Sequence, residues 1–128
     1  MALIIDLKPN ERVIIGNALV TNNDKKASIH IEGNTPVLRE KEVMRQEMAD
    51  SPCKKIYFAL QLLYLSPETE KVHKPYFDLV RDVQMAAPST TFFFAKINDH
   101  ILDGDYYKAM REAHNLVDHE QELIAYAS

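Results

Sequence analysis

Four basic side chains in the first third of the chain, Lys8, Arg12, Arg39 and Lys41, have the types and spacing that point most directly to a function. They lie at strand ends and turns in three separated places, so a small β module could bring them onto one surface. Guanidinium and ammonium groups gathered in this way bind phosphates and base edges. Interspersed acidic residues leave a second interpretation open, in which the four cations form salt bridges along a solvated sheet edge with acids such as Glu32, Glu40 and Glu42.

The charge distribution limits where a polyanion could bind. The 128 residues carry a formal net charge of −4 at pH 7, which weighs against nucleic acid as a general partner. Residues 1–45, however, contain seven Lys or Arg and six acids, whereas residues 46–128 contain eight and thirteen. Any polyanion site is therefore expected in the first third of the chain.

The other residue types that could do chemistry do not form a recognisable site. Five histidines are present, and His114 with Asp118 or His119 with Glu122 has helical spacing, but nothing else converges on them. The single cysteine, Cys53, is interpreted as structural, and three glycines are too few for the glycine-rich nucleotide-binding patterns. We therefore predict no catalytic residue, no metal site and no cofactor.

The first 43 residues have the pattern of a small antiparallel β module. Apolar, β-branched segments are separated by turn residues, of which Gly33 to Pro36 give the strongest turn signal. In one segment Ala27, Ile29 and Ile31 alternate with polar residues and should share one face. The predicted strands cover residues 3–7, 12–15, 18–21 and 27–32, with a further apolar run at 37–38.

Beyond residue 43 the apolar period becomes helical. Helices are predicted from Pro52 to Leu65, after Pro67, over Tyr76–Ala86, after Pro88 and over Tyr106–Tyr126. Pro75 should interrupt the second region, and the helix after it should carry Phe77, Val80 and Val83 inward. The sequence thus predicts an α+β protein, with a β subdomain at 1–43 and a bundle of about four helices at 44–128.

The run Phe92-Phe93-Phe94 contains more aromatic surface than one helix face can bury. We interpret it mainly as core, with a partly exposed partner patch as the alternative. No apolar run approaches the length that spans a bilayer, and the start of the chain does not have the pattern of a signal peptide. We therefore expect a cytosolic protein with no membrane partner.

The sequence resembles the FlbT flagellin-regulator family of α-proteobacteria over essentially its full length. The segments that carry the resemblance are LKPNER at 7–12, IGN at 15–17, IEGN at 31–34, PVLREK at 36–41, YFALQLLYL at 57–65 and ILDGDYYKA at 101–109. The resemblance implies a regulator that binds the 5′ untranslated leader of flagellin messenger RNA. Such a protein represses translation or promotes decay of the transcript.

The first 43 residues are also similar to the carbon storage regulator family of RNA-binding proteins. Glu11, Ile15-Gly16, Pro36 and Arg39-Glu40 match features of that family, whereas Leu7 occupies one of its two first-strand basic positions. This resemblance implies RNA contacts by Lys8 and Arg39. Because those relatives are intertwined dimers, it also implies that a module of this size needs either a partner chain, as in a homo-oligomer, or the helices that follow it here.

Two functions follow as expectations. The first is RNA binding, with Lys8 and Arg39 reading RNA loops and with Arg12 and Lys41 attracting phosphates. The second is a protein–protein adaptor in flagellar gene regulation, which contacts a flagellar regulatory protein through the acidic helices and does not bind RNA itself.

Overall fold

The computed structural model describes residues 2–66 and 73–127. It contains the strands β1 (Ala2–Leu7), β2 (Arg12–Ile15), β3 (Ala18–Thr21), β4 (Ala27–Glu32) and β5 (Val37–Arg39), then the helices α1 (Pro52–Leu65), α2 (His73–Ala86), α3 (Thr91–Leu102) and α4 (Tyr106–Ala127). Short 3₁₀ turns cover Glu40–Glu42, Gln46–Met48 and Pro88–Thr90. The predicted α+β class, antiparallel strands followed by four packed helices, is confirmed. The helix expected just after Pro67 lies outside the described residues.

The chain separates into two compact units, Met1–Val43 and Met44–Ser128, which we call the β unit and the helical unit. In the β unit, β1 pairs antiparallel with β4, and β2 pairs antiparallel with β3 on one side and β5 on the other. Gly16 turns the chain between β2 and β3 at φ +64°. A Cβ at this position would lie 2.7 Å from Thr35 Oγ1, so both the backbone angle and the space require glycine here.

The core of the β unit is small. Ile5, Leu7 and Val13 are buried together, and the half-buried apolar side chains packed against them are Ile15, Val20, Ile29, Ile31 and Val37. Residues of β4 alternate between half-buried and exposed, with Ala27, Ile29 and Ile31 facing inward as predicted. The two-residue period of a strand thus places its apolar side chains on the core.

The helical unit buries longer apolar stripes. Ser51 caps α1, and its Oγ accepts a hydrogen bond from Lys54 N at 3.2 Å. Pro52 lies in the first turn of α1, where a backbone N–H would have no carbonyl partner within the helix, so its missing N–H costs nothing. Helix α4 packs against α1 and α3, and α2 packs against α1. The fully buried residues on these helices include Ile56, Leu60, Leu63, Phe94, Ile97, Ala109, Ala113 and Leu116.

Two expectations for α2 were wrong. The helix begins at His73, three residues before the predicted start, because the first turn of a helix tolerates the proline at position 75. Phe77 points outward and is 57% exposed, whereas Tyr76 is buried. Tyr76, Val80 and Val83 follow the i, i+4, i+7 spacing of one helix face, and Phe77 lies one residue off it.

Within the described ranges, no helix combines the length and the apolar character needed to cross a membrane.

Candidate nucleic-acid interface

The turn between β1 and β2 organises the candidate site. Asn10 adopts φ +63°, a conformation that asparagine tolerates, and its N–H donates to Asn23 O at 2.8 Å. Glu11 N donates to Lys8 O at 3.1 Å, and Glu11 Oε1 accepts a hydrogen bond from Lys8 N at 2.9 Å. These bonds fold the Glu11 carboxylate back over the turn, and they fix the backbone from which the Lys8 side chain projects.

Arg39, at the end of β5, joins that turn to the second sheet. Its Nε lies 3.6 Å from Glu11 Oε2, and its Nη2 donates to the carbonyl oxygen of Asp6. The side chains of Arg39 and Glu11 are only 34% and 17% exposed. Arg39 N also donates to Glu42 Oε1 at 3.0 Å, which holds the start of the 3₁₀ turn that follows. Arg39 therefore stabilises the fold at this end of the β unit while part of its guanidinium faces solvent.

Arg12 forms a separate ion pair. Its Nε and Nη2 donate to the same oxygen, Glu40 Oε1, at 3.1 and 2.9 Å. Both side chains are about half exposed, so solvent screens the pair and its contribution to stability is about 0–1 kcal/mol. The pair borders a shallow apolar depression that is lined by Val13, Ile14, Leu19 and Val43.

Lys8 and Lys41 differ from the two arginines. Both side chains are exposed, and neither ammonium has an ion-pair partner within 4.0 Å among residues 2–66 and 73–127. Lys41 lies in the 3₁₀ turn directly after Arg39 and Glu40. The two lysines are therefore open to an external anion: Lys8 belongs to the turn whose Glu11 lies beside Arg39, and Lys41 follows Glu40, the partner of Arg12.

The central position of Glu11 in this arrangement is not evident from the sequence. The sequence points to Glu32, Glu40 and Glu42 as the acids that could neutralise the cations, whereas in the structure Glu11 lies beside Arg39 and Glu40 pairs with Arg12. Glu32 lies 3.9 Å from His30. The available signal was Glu11 itself, three residues after Lys8 in a Pro-Asn turn, where a carboxylate can accept a hydrogen bond from the backbone.

The remaining candidate groups have structural surroundings. Cys53 is buried, and burial, with a smaller effect of the Glu120 carboxylate, raises the pKa of its thiol to about 12, which is unfavourable for a nucleophile. His114 Nδ1 lies 3.5 Å from Asp118 Oδ2 on the exposed face of α4. No group of three His, Cys, Asp or Glu side chains in the described parts of the chain could hold a metal ion.

Comparison with known proteins identifies relatives of the whole chain. Residues 3–124 match the family model described as flagellar protein FlbT. A probable flagellum biosynthesis repressor protein FlbT 1 of Bradyrhizobium diazoefficiens is 44% identical over 124 residues, which cover 96% of this chain and 85% of the relative. A probable flagellum biosynthesis repressor protein FlbT of Rhodopseudomonas palustris is 36% identical over 125 residues, which cover 98% of this chain and 99% of the relative.

The flagellum biosynthesis repressor protein FlbT of Caulobacter vibrioides is 27% identical over 131 residues, which cover all of this chain and 93% of the relative. No solved structure matches the chain. The matching family consists of regulatory proteins and not of enzymes, in agreement with the expectation from the sequence. The extent of the family match and the identity to the relatives show that this chain belongs to the FlbT family of flagellar proteins.

Proposed function

We propose that this protein is a cytoplasmic repressor of flagellum biosynthesis that binds the 5′ untranslated leader of flagellin messenger RNA. Relatives that cover nearly the whole chain are named flagellum biosynthesis repressors, which supports the repressor role. The observation that carries the RNA-binding part is the presence of two exposed lysines without an ion-pair partner in the described ranges, Lys8 and Lys41, beside two arginines on the β unit.

The four basic residues have different roles in this proposal. Lys8 and Lys41 neutralise phosphates, because their ammonium groups are free in the described structure. Arg12 adds to the positive field and exchanges its exposed pair with Glu40 for a phosphate. Arg39 contacts a base edge with the donors that Asp6 and Glu11 leave free, and it also holds the turn from which Lys8 projects.

Repression in this proposal results from binding and not from RNA cleavage. A protein bound to the leader occludes or remodels the segment from which translation begins, and a transcript that is not translated is open to decay. We also expect a homo-oligomer, because a β unit of 43 residues with three residues in its buried cluster has little interior of its own. Sedimentation equilibrium gives the mass of the protein in solution.

The decisive experiment measures leader-RNA affinity by fluorescence anisotropy at several salt concentrations. In Lys8→Ala and Lys41→Ala the affinity should fall, and the slope of log K against log salt should decrease by about 0.7 for each single-strand phosphate that the variant no longer neutralises. Lys55→Ala is the matched control, because Lys55 is an exposed lysine of the helical unit. Arg39→Ala should cost about 1–3 kcal/mol of binding free energy if Arg39 reads a base.

Because Arg39 also stabilises the β unit, its variant needs a second measurement. A urea denaturation curve shows how much of the affinity change comes from unfolding of the variant. Wild-type affinity in folded Arg39→Ala protein would remove Arg39 from the RNA site.

The second candidate function is a protein–protein adaptor that acts on flagellar gene expression without binding RNA. The observation that favours it is that Arg12 and Arg39 already face the acids Glu40 and Glu11, which reduces the positive field of the β unit. Leader RNA that binds only weakly, without salt dependence, and in the same way to Lys8→Ala protein would support the adaptor and contradict the RNA-binding proposal.

A further inference from the structure

The last two turns of α4 expose their side chains to solvent. All residues from 121 to 127 are exposed although they are helical, and Tyr126 is 93% exposed. Earlier in the helix Ala109, Ala113 and Leu116 form a buried stripe at i, i+4, i+7 spacing. The next position of that stripe beyond Glu120 is Leu123, which is 38% exposed, so the apolar stripe continues into the exposed end of the helix.

The beginning of α3 adjoins this end of α4. The rings of Phe93 and His119 lie 5.0 Å apart, and the rings of Phe92 and Phe93 lie 6.2 Å apart. Ser89 Oγ lies 2.9 Å from His119 Nε2, within hydrogen-bonding distance. Phe92 is 64% exposed, whereas Phe94 is fully buried. Only part of the aromatic run therefore belongs to the core.

These side chains form one strip, which we call the α3–α4 end surface. It comprises Phe92, Phe93, His119, Leu123 and Tyr126. Ring contacts link the first three of them. Leu123 and Tyr126 follow His119 at i+4 and i+7 on the same helix face, about 6 and 10 Å further along α4. The strip is therefore long enough to contact two to three turns of another helix.

The charge around the α3–α4 end surface indicates what could cover it. Residues 112–127 contain four acidic residues and no Lys or Arg. Glu122 lies in the last turns of α4, where the negative end of the helix dipole adds to its charge. Lys96, whose Nζ lies 4.5 Å above the Phe92 ring, is the nearby cation on α3. An RNA or an anionic membrane is repelled here, and a second copy in symmetric contact would bring acidic segments together.

We infer that the α3–α4 end surface binds a basic amphipathic helix of a partner protein. The apolar face of such a helix covers Phe92, Leu123 and Tyr126, and its Lys and Arg side chains face Asp118 and Glu122, the exposed acids at this end of α4. This is a site for a protein partner on the helical unit, separate from the proposed RNA contacts on the β unit. It does not depend on the RNA-binding proposal.

The test uses the full-length protein and a labelled 15-residue amphipathic helix of Leu and Lys as the probe. Phe92→Ser and Tyr126→Ser should each weaken peptide binding at least tenfold, and Glu122→Lys should weaken it at low salt. Leu102→Ser is the matched control, because Leu102 is also an exposed apolar residue of α3 and lies at the opposite end of the helix. These side chains are exposed, so the variants should keep the wild-type helix content by circular dichroism.

Three results would overturn the inference. One is that the wild-type protein does not bind the Leu–Lys peptide, or binds an otherwise identical Leu–Glu peptide equally well. Another is that Leu102→Ser weakens binding as much as Phe92→Ser does. The third is that Phe92→Ser abolishes leader-RNA binding, which would mean that the surface binds RNA, or converts a wild-type dimer to a monomer in sedimentation, which would mean that it binds a second copy.

Discussion

The β unit and the helical unit are stabilised by different kinds of contact. In the β unit a small cluster of Ile5, Leu7 and Val13 is buried, and polar contacts at Glu11 and Arg39 link separate strands. In the helical unit long apolar stripes on α1, α3 and α4 are buried, and most described ion pairs join residues three or four positions apart along the chain.

This difference shows why charge has different consequences in the two units. A cross-strand charge of the β unit sets the position of its neighbours, so the same residues stabilise the fold and are also the ones in the proposed RNA site. A charge on an exposed helix face contributes little to stability. Such a charge is therefore available for the partner contact that we propose on the helical unit.

The largest expected effect tests the buried stripes. Phe94→Ala should lower the free energy of unfolding by about 3–5 kcal/mol, because it leaves a cavity among fully buried side chains. Phe92→Ala, two residues earlier and exposed, should change it by less than about 0.5 kcal/mol. Urea denaturation of both variants measures the contrast. Equal losses would show that the exposed ring is also part of the core.

The second prediction concerns a polar contact in the helical unit that resembles the cross-strand contacts of the β unit. Glu120 on α4 accepts hydrogen bonds from Ser51 Oγ and, at 3.0 Å, from Cys53 N, so a carboxylate links α4 to the first turn of α1. Glu120→Ala leaves these donors without a partner and should cost about 1–3 kcal/mol of stability. Glu122→Ala, a neighbouring exposed glutamate, is the control. If both variants unfold at the same urea concentration, the link contributes nothing.

The third prediction concerns alkaline pH. The Cys53 pKa is raised from the ordinary value of 9.0 to about 12, so the unfolded chain loses this proton before the folded protein does. Stability should therefore fall between pH 9 and 12, by about 1.4 kcal/mol per pH unit for this group. Burial also raises the pKa of Tyr76, which acts in the same direction above its ordinary value of 10.0.

The Cys53 contribution is isolated by comparing variants. Cys53→Ala removes the thiol and keeps Tyr76, so its stability should fall less steeply with pH than that of the wild-type protein. Thermal unfolding at pH 8, 9 and 10 gives the two slopes. Identical slopes would mean that the folded protein releases the thiol proton as readily as the unfolded chain does.

The smallest effects concern the two ion pairs of the β unit. Glu11→Gln weakens the bond to Lys8 N and removes the charge beside Arg39, and we expect a loss of about 0.5–1.5 kcal/mol. Arg12→Ala removes the more exposed pair with Glu40 and should cost less, about 0–1 kcal/mol. Chemical denaturation at low and high salt ranks them. A larger loss for Arg12→Ala would reverse the assignment of the structural cation.

Local signals in the sequence were enough to predict the secondary structure of most of the chain. The bounds of β2, β3 and β4 agree with the predicted segments, because alternating apolar residues and turn residues such as Gly16 act within a few positions. The start of α1 and the length of α4 were predicted for the same reason: capping residues and apolar period are local signals. The four basic residues were also visible as types, in the first third of the chain.

Which of these residues contact one another depends on the tertiary packing and could not be predicted. The sequence could not show that Glu11 lies beside the Arg39 guanidinium, or that Glu120 accepts a hydrogen bond from Cys53 N, 67 residues away at the start of α1. The sequence also led us to expect Phe77 in the core, whereas in the structure its neighbour Tyr76 is buried and Phe77 is exposed. Pairings across strands and helices depend on register and packing, which many distant residues set together, so they cannot be derived from any local pattern.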